Sequence, residues 1–294
     1  IFYPKFQFKR FLIKKTKYIL FPYLILSTLP IVYLLLRICI SGISSSSSIT
    51  IRYNSMLSFP IFRHYLTGVD KSFIGYWYIP FIIIIFLLSS LFVRFIKLNF
   101  KTQILITILL LICSIFMHRG IDLEALSVFQ NVLYFTPIYL FGIISSETKD
   151  VIYSKLKGKE FYLLSLAFTL AIFQAYMGKL GNYHKLPFIY GGMDLMILQK
   201  ISLCLFFMVY LKRFENYKLQ FFEVIATNSF GIFFIHGIVI FIIRLIKEKL
   251  DFSFAPNSFI IYFLVASIIF FLSLIVTLIV KRIFPKHSRY LIGS

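Results

Sequence analysis

Apolar residues occupy this chain in long blocks, separated by short basic or polar gaps. A helix needs about 20 mainly apolar residues to cross a bilayer. Eight stretches meet that pattern: residues 18–36, 74–96, 103–117, 128–146, 161–177, 192–211, 227–245 and 259–280. The third and fifth are short. The pattern predicts an all-α polytopic transmembrane helical bundle of eight spans, forming a single membrane-embedded domain over residues 1–294. Polar groups within it should face inward, because lipid cannot satisfy them. The largest gap, residues 37–73, carries a serine run at 44–48 and then Arg52, Arg63, His64 and Asp70, and reads as an outer loop.

Composition excludes a soluble enzyme. Sixty per cent of the residues are hydrophobic and 14% charged, against about 45–50% and about 25% in ordinary soluble domains. Lysine and arginine number 31 against 11 acidic residues, a net charge of +20. In a soluble chain that excess would suggest nucleic acid. Here the cations sit between apolar blocks and set topology instead. With the N-terminal segment in the cytoplasm, 20 of the 31 fall on the cytoplasmic side and ten on the other, with Lys200 inside a span. The bias places both ends in the cytoplasm, and an even number of spans agrees. Cys39, Cys113 and Cys204 lie in or beside apolar blocks without clustering, and read as buried inert thiols rather than a disulfide or metal site.

Ionisable groups inside a bilayer are functional candidates by default. Lys200 sits near the middle of 192–211, with Asp194 earlier and Gln199 beside it. It reads as a cavity charge that pairs an anionic ligand, as half of a helix–helix ion pair, or as the mark of a span boundary shifted by half a helix. His236 lies near the centre of 227–245 and reads as a packing residue or a reacting one. Thr227 or Asn228 suits a helix cap at that span's entry. His64, His118 and His184 lack metal-ligand spacing and read as solvated or interfacial. No metal site is expected. Tyr18, Tyr76, Trp77 and Tyr78 suit interface anchors.

The run from Phe8 to Lys17 interleaves Lys9, Arg10, Lys14, Lys15 and Lys17 with apolar residues. Such a helix lies on the cytoplasmic leaflet. It serves either as a positive anchor or as a basic cradle for a phosphorylated donor such as a coenzyme A ester.

In order, the chain presents this basic run, then Tyr18-Ile19-Leu20-Phe21-Pro22-Tyr23-Leu24, then Leu66-Thr67-Gly68. Tyr76-Trp77-Tyr78-Ile79-Pro80-Phe81 follows, and later Asn228-Ser229-Phe230-Gly231-Ile232-Phe233-Phe234-Ile235-His236-Gly237. This order resembles the integral-membrane acyltransferase 3 family, the O-acetyltransferases of surface polysaccharides, over essentially the whole chain. The resemblance implies transfer of an acyl group, acetyl foremost, from cytoplasmic acyl-CoA to a hydroxyl of an envelope polysaccharide or lipid-linked sugar. No cofactor is held; acetyl-CoA is a co-substrate. It maps the family's basic motif onto Arg10, Lys14 and Lys15, and its late-helix histidine onto His236.

The family has about ten spans, with an arginine and its principal histidine in the first. The resemblance therefore implies that two spans precede Ile1 and that these 294 residues are inactive alone. It also implies a bacterial cytoplasmic-membrane protein of capsule or O-antigen synthesis, which the Ile-, Phe-, Lys- and Tyr-rich composition of an AT-rich coding region fits. A polysaccharide exporter or export partner and a glycan polymerase are the alternatives from other classes.

Overall fold

The computed structural model describes residues 6–41, 65, 76–120, 125–178, 184–186, 189–217, 219–250 and 258–294. The outer loop over 42–64 and 66–75, with its serine run, His64, Asp70 and the Leu66-Thr67-Gly68 motif, lies outside these residues.

The described chain is helical except for one parallel pairing of two-residue strands. In order come α1 (Phe8–Lys15), a π-turn (Thr16–Leu20), α2 (Phe21–Ser41), α3 (Tyr78–Leu87), α4 (Ser89–Ile96), α5 (Phe100–Met117) and β1 (Arg119–Gly120). Then follow α6 (Ala125–Glu147), α7 (Lys149–Leu156), α8 (Glu160–Tyr176), β2 (His184–Lys185), α9 (Met196–Leu211), α10 (Gln220–Leu250), α11 (Phe259–Ile283) and α12 (Ser288–Leu291). Two compact units emerge. The middle unit is Leu87–Lys218, and the terminal unit joins Lys5–Phe86 to Leu219–Ser294.

Every one of the eight expected stretches carries a helix, but not every helix is long enough to cross. Five qualify among the described residues: Phe8–Tyr33, Phe100–Met117, Leu126–Glu147, Gln220–Lys247 and Phe259–Ile283; α3 with α4, broken at Leu88, makes a sixth if taken as one span. The chain is thus an all-α membrane bundle of five to six demonstrable spans. α9 has 16 residues, about 24 Å at 1.5 Å per residue, short of the ~30 Å hydrocarbon core.

Many apolar side chains in these helices point outward. In α11 the buried residues are Ser273, Leu274 and Thr277, while Phe263, Leu264, Ile268 and Ile275 are exposed. The inward hydroxyls bond their own helix: Ser273 Oγ donates to Ile269 O at 2.6 Å and Thr277 Oγ1 to Ser273 O at 2.7 Å. This is the arrangement lipid demands, with these two hydroxyls satisfied inside the protein. Cys113 and Cys204 are also exposed on their helices, which corrects the expectation of buried thiols; the thiol is apolar enough to face lipid.

In the middle unit α5 packs on α6, and α8 on α9. Asn99 caps α5 by accepting from Thr102 N at 2.8 Å. Pro137 stands inside α6, where it has no N–H to give the carbonyl of Leu133. Ser114 of α5, itself buried, donates to that carbonyl at 3.3 Å and to Leu110 O at 2.9 Å. In the terminal unit α10 packs on α11, and α2 meets both α10 and α12.

Candidate functional site

The basic helix, the Pro-Tyr span, the Tyr-Trp-Tyr opening and the late histidine helix all belong to the terminal unit. Tyr23 of α2 and Tyr76 lie with ring centroids 5.9 Å apart, and Tyr76 lies 6.2 Å from Phe234 of α10. All three are buried. The Tyr76 hydroxyl donates to Phe234 O at 2.6 Å, and the Tyr23 hydroxyl to Tyr65 O at 2.7 Å. A phenol in an apolar core needs such an acceptor. These two tyrosines are therefore core pins between helices; for Tyr76 the sequence suggested an interface anchor.

His236 stands two residues beyond Phe234 and is half-buried. Its ring lies 5.5 Å from Phe233, and Nδ1 hydrogen-bonds the Phe233 carbonyl one turn back. A carbonyl only accepts, so Nδ1 carries the proton, and the neutral ring keeps its lone pair on Nε2. The helix itself thus fixes the tautomer of a base.

Gly231 explains how close its neighbours come. A Cβ there would lie 2.5 Å from Thr277 Cγ2 and 2.9 Å from Ser294 Cβ. Only glycine lets α11 and the chain's end approach this face. Thr227 and Asn228 do not cap the helix. α10 begins at Gln220, so both residues lie inside it. Thr227 Oγ1 bonds back to Glu223 O at 2.8 Å, and Asn228 Oδ1 accepts from Lys281 Nζ at 2.9 Å.

α1 carries a shallow cleft of about 580 Å³ whose walls include Gln7, Lys9, Arg10, Lys14, Lys17 and Tyr18. Arg10, Lys14, Lys17 and Tyr18 recur at i, i+4, i+7 and i+8, which puts them on one helix face. The cleft is lined by four cations and no carboxylate. Of the three predicted donor residues, the structure brings Arg10 and Lys14 together and separates Lys15. The Lys15 ammonium lies 5.8 Å from the Phe11 ring and 5.3 Å from the Phe86 ring, a cation–π placement on the adjoining face. Lys17, not singled out before, takes its place in the cleft. The helical spacing from Arg10 would have found it.

Lys200 belongs to the middle unit, and its helix starts later than the expected span. The backbone over 191–194 is not helical, and α9 starts at Met196, so Lys200 sits in its second turn rather than at mid-span. Asp194 is off the helix and buried, 1% exposed. Its carboxylate accepts from the Tyr134 hydroxyl at 2.9 Å and from Met196 N at 2.9 Å, and its own N–H bonds Ile115 O at 2.8 Å. Lys200 feels the opposed charges of Arg119 and Asp194.

His118 corrects the expectation of a solvated histidine. It is fully buried. Its Nε2 hydrogen-bonds Gly192 O at 2.7 Å, and its Nδ1 lies 3.9 Å from Asp194 Oδ2. Its backbone adopts φ 60°, a region L side chains rarely occupy. Next to it Arg119 and Gly120 pair in parallel with His184 and Lys185, and Gln130 Nε2 donates to Met117 O at 3.0 Å. Asn131 Oδ1 accepts from Gly120 N at 2.9 Å. The polar group at Gln130 and Asn131 is thus a set of braces for the α5–α6 connection.

Where α8 begins, the buried Glu160 carboxylate accepts from Arg213 Nη2 at 2.7 Å. The guanidinium holds this carboxyl below the usual carboxylate range. Among the described residues no group of three or more His, Cys, Asp or Glu side chains is arranged to hold a metal ion.

A family model described as an acyltransferase domain, that of the acyltransferase 3 family, matches residues 1–282. No curated protein and no solved structure matches the chain.

Proposed function

The chain belongs to the acyltransferase 3 family of membrane acyltransferases, and from that premise we propose that the intact protein transfers an acyl group, acetyl foremost, from cytoplasmic acyl-CoA to a hydroxyl of a bacterial envelope polysaccharide or glycolipid. The observation that carries this reading is the cation-lined cleft on α1, in the same unit as His236. Coenzyme A is a large polyanion, and Arg10, Lys14 and Lys17 form a field suited to its phosphates. Lys15 supports the helix against aromatic rings.

The acceptor oxygen attacks the thioester carbonyl, the C–S bond breaks, and coenzyme A leaves as the thiol. The proton released by the hydroxyl passes to a base and then to the departing sulfur. His236 suits that base, with its proton on Nδ1 and its lone pair on Nε2. Enclosure among helices excludes the water that would hydrolyse the thioester. Lys200 is a charge of the middle unit available to an anionic group there. The two units together form one acyltransferase domain of eight spans with cytoplasmic ends, α8 and α9 crossing where the bilayer is locally thin. The family match running through both units supports the single domain.

Mass analysis of surface glycan from cells with and without the gene tests the reading. Loss of O-acetyl groups at unchanged chain length is expected. Loss of the surface glycan itself would overturn it in favour of export or polymerisation.

A further inference from the structure

Residues 283–294 lie beyond the matched segment, yet they are built into the terminal unit. Ser288 and Ile292 are buried. Gly293 takes φ 74° and sits against Phe230 and Phe234, and Ser294 closes on Gly231. From this footing α12 reaches the π-turn that follows α1. The Arg289 guanidinium lies 4.4 Å from the Tyr18 ring, and the Lys17 ammonium 4.8 Å from the Tyr290 ring. The Tyr18 and Tyr290 rings are 5.3 Å apart. Lys17 and Tyr18 are both wall residues of the cleft. A π-turn, rare and frequent at functional sites, is what presents them.

A lysine free in solvent must be ordered before it grips an anion, which costs entropy. Here Tyr290 already holds Lys17, and Arg289 adds a further cation through its stacking on Tyr18. We propose that the carboxy-terminal tail is a working part of the cleft, with Arg289 and Tyr290 as positioning residues that fix Lys17 and Tyr18 around the phosphates of a coenzyme A thioester. This rests on the donor reading of the cleft given above.

The test uses the full chain in phosphatidylcholine nanodiscs, with calorimetric titration of coenzyme A and of phosphate-free pantetheine. Arg289→Gln should weaken coenzyme A binding about tenfold and flatten its salt dependence. Pantetheine binding should not change, and Arg289→Lys should restore part of the loss. Tyr290→Ala should act in the same direction, with Tyr290→Phe milder. A general loss of structure would lower both ligands together and would appear in the thermal melt; the Arg289→Lys variant, which keeps the charge, would then show no partial rescue, and the inference fails. If the native chain binds coenzyme A no better than pantetheine, the donor reading falls and this inference with it. If coenzyme A binding is phosphate-dependent but indifferent to Arg289→Gln, this inference alone falls. It also falls if the variant loses affinity only for phosphatidylglycerol nanodiscs, which would make a lipid headgroup the occupant.

Discussion

In the terminal unit the cations of α1 stand in the open. Arg10 and Lys14 are exposed along one face, with no carboxylate among the walls of their cleft. Beside α9 in the middle unit the ionisable groups are enclosed: Asp194 is 1% exposed and His118 0%. There the two Asp194 oxygens and His118 Nε2 are used against other parts of the protein, Tyr134, Met196 and Gly192. Ionisable residues therefore do different work in the two places. A charge left to solvent retains its capacity for a ligand, whereas a buried charge is retained only if the protein itself completes it. Helix α1 is a surface for recognition. The Asp194 cluster is a fastening that ties α9 to the α5–α6 pair.

The largest effect that would test this contrast is expected at Asp194. Asp194→Ala strips Tyr134 and the α9 entry of their acceptor, and should cost on the order of 3 kcal/mol of stability. Denaturant titration in detergent reads it. Donor affinity of the folded fraction should be unchanged, and a specific loss of that affinity would dissolve the distinction between the units.

His236→Ala comes next. Loss of a general base should lower kcat about 100-fold with KM for the thioester little altered. A variant that melts earlier but turns over normally would make His236 a packing residue.

Arg10→Gln with Lys14→Gln should raise KM for the thioester about tenfold and make the residual binding less salt-dependent. Lys15→Gln should do much less, because Lys15 sits over Phe11 and Phe86 outside the cleft. Equal effects from Lys14 and Lys15 would show that only net charge on the helix matters.

Two smaller effects sharpen the middle unit. Glu160 is held below the usual carboxylate range by Arg213. Its contribution to stability is therefore present above that range and lost as pH falls through the lowered pKa. Glu160→Gln should lower the melting temperature modestly at neutral pH and remove this acid-side loss. An unchanged pH profile would mean that the pair contributes nothing. Lys200→Met keeps length and removes charge; a stability change within about 1 kcal/mol is expected, with coenzyme A affinity untouched. Lost turnover in that variant would instead give this half-buried cation a part in transfer.

Apolar block length made the helices readable, since lipid imposes that length directly. All eight expected stretches carry one. Their ends were less legible. The expected span at 192–211 loses its first turn because Asp194 bonds Tyr134, 60 residues away, and Ile115, and no local pattern announces such partners. His118 was misread for the same reason: its burial depends on the Gly192 carbonyl, 74 residues along the chain. The basic face of α1 was legible in kind but not in membership, since charge alone does not separate Lys15 from Lys17. The aromatic rings around Lys15 and the Tyr290 contact at Lys17 do.

The serine–proline arrangement between α5 and α6 bears on how the chain is made. Pro137 leaves the Leu133 carbonyl without its own helix's N–H, and Ser114 of α5 supplies the bond. An open carbonyl in hydrocarbon costs several kcal/mol, so α6 is poorly suited to leave the translocon as a solitary helix. Synthesis runs from α5 to α6, and the serine is therefore already in place when the proline emerges. The two helices enter the bilayer as a hairpin, and Ser114→Ala should delay release of α6 from the insertion machinery even where the mature fold survives.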